Sequence, residues 1–163
     1  HGDGLEELKR AQEWGKVRFV SVSADDEAAR KAIDIGEFDT LQLTYNVLQP
    51  EPAEIIAAAR EKDMGIIVQG PIANATYEAP RPDDDGAPAW DRARALLSPE
   101  VIGDLARVEA SLRWQLSDPE IHTAIVGTTN IRHLEANIDS AERVPLPPDV
   151  LAAIAQQLTL PNS

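Results

Sequence analysis

Apolar positions along the chain switch between two periods, one helical and one extended. In residues 5–14, Leu5, Leu8 and Ala11 recur at three-residue spacing among charges, which predicts a short amphipathic helix. Gly15 follows as its stop. Residues 17–22 (VRFVSV) alternate and carry β-branched side chains, so they predict a strand. Asp25 and Asp26 then open a helix, DDEAARKAIDI, with acids where the helix dipole favours them, and Gly36 closes it. The alternation repeats. Residues 39–43 (DTLQL) predict a strand, Pro52 begins a helix running to about Asp63, and residues 65–69 (GIIVQ) predict a buried strand. Residues 70–90, rich in Pro and carrying Asp83, Asp84 and Asp85, predict a long loop. Val101, Leu105, Val108, Leu112 and Leu116 place one helix from Pro99 to about Ser117. Residues 121–126 (IHTAIV) predict a strand, 127–130 a turn, 131–141 a helix, and Pro148 to Leu158 a last amphipathic helix.

Strands separated by helices imply right-handed crossovers and a parallel sheet, an α/β fold. The strands begin near 17, 39, 65 and 121. Two architectures fit: an open doubly wound sheet, or half of a (β/α)8 barrel, which as a whole takes about 250 residues. Neither G-x-G-x-x-G nor a P-loop is present to choose between them.

Composition narrows the partners. The chain has 163 residues, enough for a single domain, with 43% apolar and 26% charged residues, as expected of a folded globular unit. No apolar run approaches the ~20 residues that span a bilayer, and no secretory leader pattern is visible. A cytoplasmic location is the default expectation. The absence of cysteine excludes disulfides, thiolate metal sites and cysteine nucleophiles. A net charge of −13 argues against nucleic-acid and anionic-membrane partners. The sequence starts at His1, and its one methionine is Met64, so a processed start or further upstream residues are expected.

In a parallel α/β fold, ligands bind at the carboxyl ends of the strands. Those ends carry Ser21, Ser23 and Ala24, then Gln42, Thr44, Tyr45 and Asn46, then Gln69, Gly70, Pro71 and Asn74, and finally Gly127, Thr128, Thr129 and Asn130. The rim is rich in neutral hydroxyls and amides, which suit a polar uncharged ring or a carboxamide. The helix opening at Asn130 offers backbone N–H groups to a phosphate, and Gly127 allows close approach. Plainer roles stand beside these. Thr129 or Asn130 can serve as an N-cap, Gln42 as a barrel-interior residue, and the three tryptophans as packing residues. His122 reads as structural. His133 and Asn137 share a helix face, without a third metal ligand. The acidic run reads as a solvated loop.

The order of these motifs resembles the C-terminal half of the aldo-keto reductase family. The similarity lies in LEELKRAQEWGKVRFVSVS, DTLQLTYNVL, GIIVQGPIANA and LRWQLSDPEIHTAIVGTTNIRHLEANI, over almost the whole chain. It implies the C-terminal half of a (β/α)8 TIM barrel, binding NADPH, with NADH as the alternative. By position, Ser23 and Gln42 would hold the nicotinamide carboxamide, and Gln69 would stand where an aromatic ring stacks on it. Gly70, Pro71, Ile72 and Asn74 would line the pyrophosphate. Gly127, Thr128, Thr129 and Asn130 would meet the adenosine phosphate, with His133 and Asn137 near the adenine.

The chain also departs from the family pattern. Ala24 replaces an Asn, Gln69 replaces the aromatic, and Thr129 stands where a cation often meets the 2′-phosphate, with Arg132 three residues on. The family's catalytic Asp, Tyr and Lys belong to the other half of the barrel. His1 stands about where its catalytic His ends a strand. Tyr45 and Tyr77 match no acid position. The resemblance implies reversible hydride transfer to a small-molecule carbonyl or from an alcohol. The first half-barrel would come from upstream residues or a second chain. The alternative is a member that binds cofactor or partner without turnover. Alone, four parallel strands would leave two open edges and an uncovered apolar inner face.

Overall fold

Four short strands meet in one parallel sheet in the order β1-β2-β3-β4: β1 (Ser21–Ser23), β2 (Thr40–Thr44), β3 (Gly65–Gln69) and β4 (Thr123–Ile125). This computed structural model describes residues 3–159. Ser23 lies opposite Gln42, Gln42 opposite Ile67, and Ile67 opposite Thr123. One step further on, Thr44 lies opposite Gln69 and Gln69 opposite Ile125. Each crossover moves the chain the same way, so the sheet has no switch point. It is half of a (β/α)8 barrel and not a doubly wound sheet. The sheet is not closed, and β1 and β4 are its edges.

Period-two alternation sorts the strand residues between two faces. Leu41, Leu43, Ile66 and Val68 are fully buried against α2 (Asp26–Ile35) and α3 (Ala53–Glu61), among Ala29, Ile33, Ile55, Ile56 and Ala59. Burial of each large aliphatic side chain contributes roughly 1.5–3 kcal/mol. The opposite face is half-buried or open, and it departs from the apolar face that four uncovered strands suggest. It carries Ser21, Ser23, Thr40, Gln42, Thr44, Gln69 and Thr123, with Ile67 and Ile125 as apolar exceptions. Hydroxyls and amides can be wetted there at little cost, whereas the face under the helices cannot.

A second core joins α4 (Ala87–Leu96), α5 (Pro99–Ile102), α6 (Arg107–Leu116) and α8 (Pro148–Leu158) around Tyr77, Leu97, Leu146 and Ile154. Trp114 packs against both cores and lies 5.2 Å from the Tyr45 ring. The remaining helices are α1 (Asp3–Glu13) and α7 (Ile131–Ala141).

Several boundaries differ from the sequence expectation. The expected loop at 70–90 holds a short helical turn, Ala73–Glu78, and the start of α4. The single helix expected from Pro99 breaks at Gly103, whose φ is +62°. The first strand is shorter than 17–22. Val20 already pairs with Asp39, but Val17 and Phe19 have no neighbouring strand and are exposed. Trp14 is not a packing residue: it is 63% exposed, beneath the Lys16 ammonium. On the opposite flank, Ile131, Leu134 and Ile138 form an exposed apolar stripe along α7.

Candidate functional site

The carboxyl ends of β1, β2 and β3 are joined by side chains. Gln42 Nε2 donates to Gln69 Oε1 at 2.9 Å and reaches toward Ser23 Oγ at 3.5 Å. Gln69 Nε2 donates to Thr44 Oγ1 at 3.3 Å. Thr44 is held in turn by Asp25, whose Oδ1 accepts from the Thr44 N–H at 2.7 Å and whose Oδ2 accepts from its hydroxyl at 3.3 Å. Three of the residues expected in the site, Ser23, Gln42 and Gln69, thus stand in one row. The strand register makes this possible, because partners across parallel strands point to the same face.

Beyond Gln69 the backbone turns sharply. Gly70 has φ +60°, a conformation that glycine adopts without penalty. The Asn46 side chain, 1% exposed, donates to the Gly70 carbonyl at 3.1 Å. The next carbonyl, that of Pro71, accepts from two buried side chains of α6, Ser111 and Gln115. These four-spaced polar residues lie on one face of the helix. The loop exit is therefore fixed from both sides. It then enters a left-handed turn in which Ala73, Asn74 and Ala75 have φ of 46°, 54° and 52°.

A cavity of about 540 Å³ opens between this turn, α6, the end of β4 and the first turns of α7. Of the candidate site residues, Gly70, Pro71, Ile72, Asn74, Gly127, Thr128, His133 and Asn137 line it. Val108, Ile125, Val126 and Ala136 supply apolar wall. The Asn137 side chain is nearly buried and has no hydrogen-bond partner among the described residues. Thr129 and Asn130 are not in the lining. Asn130 caps α7, its Oδ1 accepting from Arg132 N–H at 3.0 Å, while Thr128 Oγ1 accepts from Asn130 N–H at 3.1 Å. Ser23, Gln42 and Gln69 lie outside the cavity, in the row that ends beside it. His1 lies outside the described residues.

Charge at the cavity is sparse. Glu78 contributes a carboxylate to the lining, 3.7 Å from Arg107. Arg132 is not part of the wall. The acidic run at 83–85 is exposed and away from the cavity, and Asp84 accepts from Gly86 N–H in a local turn. His122 has a structural role, its Nδ1 accepting from Ile66 N–H at 3.0 Å beside the β3–β4 ladder. Among the described residues, no group of three or more His, Asp or Glu could hold a metal ion. Burial pushes the Tyr45 and Tyr77 phenols up to about 12, and both rings pack in the cores.

Sequence reasoning passed over Ser111 and Gln115. Their signal was present: polar residues four apart, beside Leu112 and Leu116 on an otherwise amphipathic helix.

Comparison with known proteins gives the same outline. The model of the aldo/keto reductase family matches residues 2–158. A curated relative from Bacillus subtilis (strain 168), the uncharacterized oxidoreductase YqkF, is 22% identical over 153 residues, covering 85% of this chain and 48% of its own. The holo form of aldo-keto reductase AKR11C1 from Bacillus halodurans superposes with a TM-score of 0.82 at 20% identity, covering 94% of this chain and 54% of that one. An aldo/keto reductase from Klebsiella pneumoniae, in complex with NADP and acetate, gives a TM-score of 0.69 at 18% identity, covering 96% of this chain and 54% of that one. The chain thus spans about half the length of the relatives it matches.

Proposed function

Because this chain belongs to the aldo/keto reductase family, we propose that it carries the cofactor-binding half of an oxidoreductase that acts on a small carbonyl or alcohol. The observation that supports this best is continuity. The row Ser23–Gln42–Gln69 ends at the border of the cavity: Gln69 lies outside the lining, but its strand partner Ile125 and its chain neighbour Gly70 are both in the wall. Such a track suits a long ligand with a polar ring at one end and phosphates further on.

The chain's own groups match a nicotinamide dinucleotide in chemistry. Ser23 and Gln42 offer a hydroxyl and an amide to the carboxamide. Gly70, Pro71, Ile72 and Asn74 border the pyrophosphate. Gly127 and Thr128 meet the adenosine phosphate, and His133 and Asn137 flank the adenine. Asn130 acts one step back, by capping α7, and Thr129 is proposed to approach the adenosine phosphate from outside the lining. Among the described residues the wall carries Glu78 and no Lys or Arg, so NADPH and NADH are both assigned as ligands. When bound, the nicotinamide supplies reversible hydride transfer. What these residues contribute is orientation of the ring.

The proton donor is assigned to the first half of the barrel, from upstream residues or a second chain, in a cytoplasmic protein. His1 is proposed as the family's catalytic His from its place in the sequence alone. Tyr45 and Tyr77 are poor candidates, because both are packed away from the row and burial has raised their pKa values. That observation also favours a second reading, a member that binds cofactor without turnover.

Calorimetric titration with NADPH and NADH tests the proposal. Saturable one-to-one binding of either supports it, and absence of binding to both overturns it. Carbonyl reduction by the assembled barrel separates the reductase from the binding-only member.

A further inference from the structure

We propose that Asp25 is a positioning residue that decides, through Thr44 and Gln69, which end of the Gln42 amide faces the ligand. This rests on the reading of the row as a carboxamide site. A side-chain amide has two nearly isosteric ends, so a row of glutamines alone has no preferred polarity. A carboxylate removes that freedom, because it only accepts.

The polarity follows bond by bond. Asp25 Oδ1 accepts from the Thr44 N–H at 2.7 Å, which fixes the carboxylate beside the Thr44 hydroxyl. Asp25 Oδ2, 3.3 Å away, takes the single hydroxyl hydrogen. Thr44 Oγ1 is then an acceptor toward Gln69, so Gln69 turns its NH2 to it at 3.3 Å. The Gln69 oxygen consequently faces Gln42 and accepts from Nε2 at 2.9 Å. The second Nε2 hydrogen points toward Ser23 Oγ at 3.5 Å. Among the described residues, two groups at the end of this chain of bonds have no partner: Gln42 Oε1, an acceptor, and the Ser23 hydroxyl hydrogen, a donor. A primary carboxamide presents the complement, an NH2 and a carbonyl oxygen.

Among the described residues, Asp25 bonds through its side chain only to Thr44. It precedes α2 as its N-cap residue, yet its side chain makes no capping bond there and reaches across to β2 instead. Without the carboxylate, the Thr44 hydroxyl is free to donate, both glutamines can reverse, and Gln42 presents NH2 to the ligand's NH2.

The test uses Asp25→Ala and Asp25→Asn, with Thr44→Val as an independent break in the same chain and Asp25→Glu as the conservative variant. Nitrogen- and carbon-labelled free protein reports the coupling from Gln42 Nε2 through its hydrogen bond to the Gln69 side-chain carbonyl. We expect this coupling in the parent and in Asp25→Glu, and its loss in the other three. The second readout is the ratio of affinities for NADP and for its acetylpyridine analogue, which lacks the NH2. We expect the parent to prefer NADP about tenfold and the ratio to collapse toward unity in the broken variants. A coupling and a ratio unchanged in Asp25→Ala and Thr44→Val overturn the proposal. If the parent binds neither dinucleotide, the carboxamide reading falls while the coupling still reports on the chain of bonds.

Discussion

At Gln42 the useful atom is an oxygen, left free because both amide hydrogens are engaged by Gln69 and Ser23. Replacing Gln42 with Ala should therefore weaken nicotinamide binding about tenfold, the worth of one or two hydrogen bonds. Calorimetry against the parent measures this, and equal affinity would remove Gln42 from the site. The tyrosines give a prediction of another kind. Burial raises both phenols from 10 to about 12, so the folded state binds these protons more tightly than the unfolded chain. Their contribution to stability is complete below about pH 10 and is lost as pH rises from there toward 12. Phenolate absorbance should appear together with loss of circular dichroism, not before it. Separate transitions would show rings open to solvent in the native protein.

The segments that carry these residues differ in how readily the sequence revealed them. β3 and α7 are readable to the residue, because the apolar core Ile66–Val68 of GIIVQ is bounded by Gly65 and Gln69 and α7 has a firm start at Asn130. The first strand is not. Its alternation extends back to Val17, but a strand ends where its neighbour does, and that is a tertiary fact. Of the cavity lining, Gly70, Pro71, Asn74, Gly127 and Thr128 stand after strand ends, where any parallel fold gathers its loops, whereas Glu78, Val108 and Ala136 are brought in by helices the strand pattern does not place. The bonding of the row is not readable: Asp25 and Thr44 are ordinary loop and strand residues until the register sets them side by side. The left-handed turn at Ala73, Asn74 and Ala75 also left no trace, since two of its residues lack the glycine or asparagine that such a turn prefers. Ala75→Gly should relieve one strained position and raise stability by up to about 1 kcal/mol. Urea denaturation checks this, and a lower midpoint would show that the turn is not under strain.

For the molecule as a whole, two forces oppose each other at the open sheet. The edges of β1 and β4 offer unpaired backbone groups, and Trp14, Phe19, Ile131, Leu134 and Ile138 are exposed apolar side chains on the segments that precede β1 and follow β4. The net charge of −13 pushes like molecules apart. Screening that repulsion should let the exposed apolar side chains associate, so sedimentation velocity is expected to show larger species at high salt than at low salt. Ile138→Lys, on the exposed stripe, should suppress them. A monomer at every ionic strength would mean that the polar inner face and the charges suffice to keep the unit apart.

The Pro71 carbonyl has a consequence of a hereditary kind. One oxygen serves Ser111 and Gln115, so neither side chain can be exchanged for an apolar one without changing the load on the other. Proline contributes no amide hydrogen at this position, and the carbonyl is what α6 can grip. Three codons, two of them adjacent along a helix face and one distant in the gene, are thereby tied into a single inherited character. Descendants of this sequence should change them together or leave them alone.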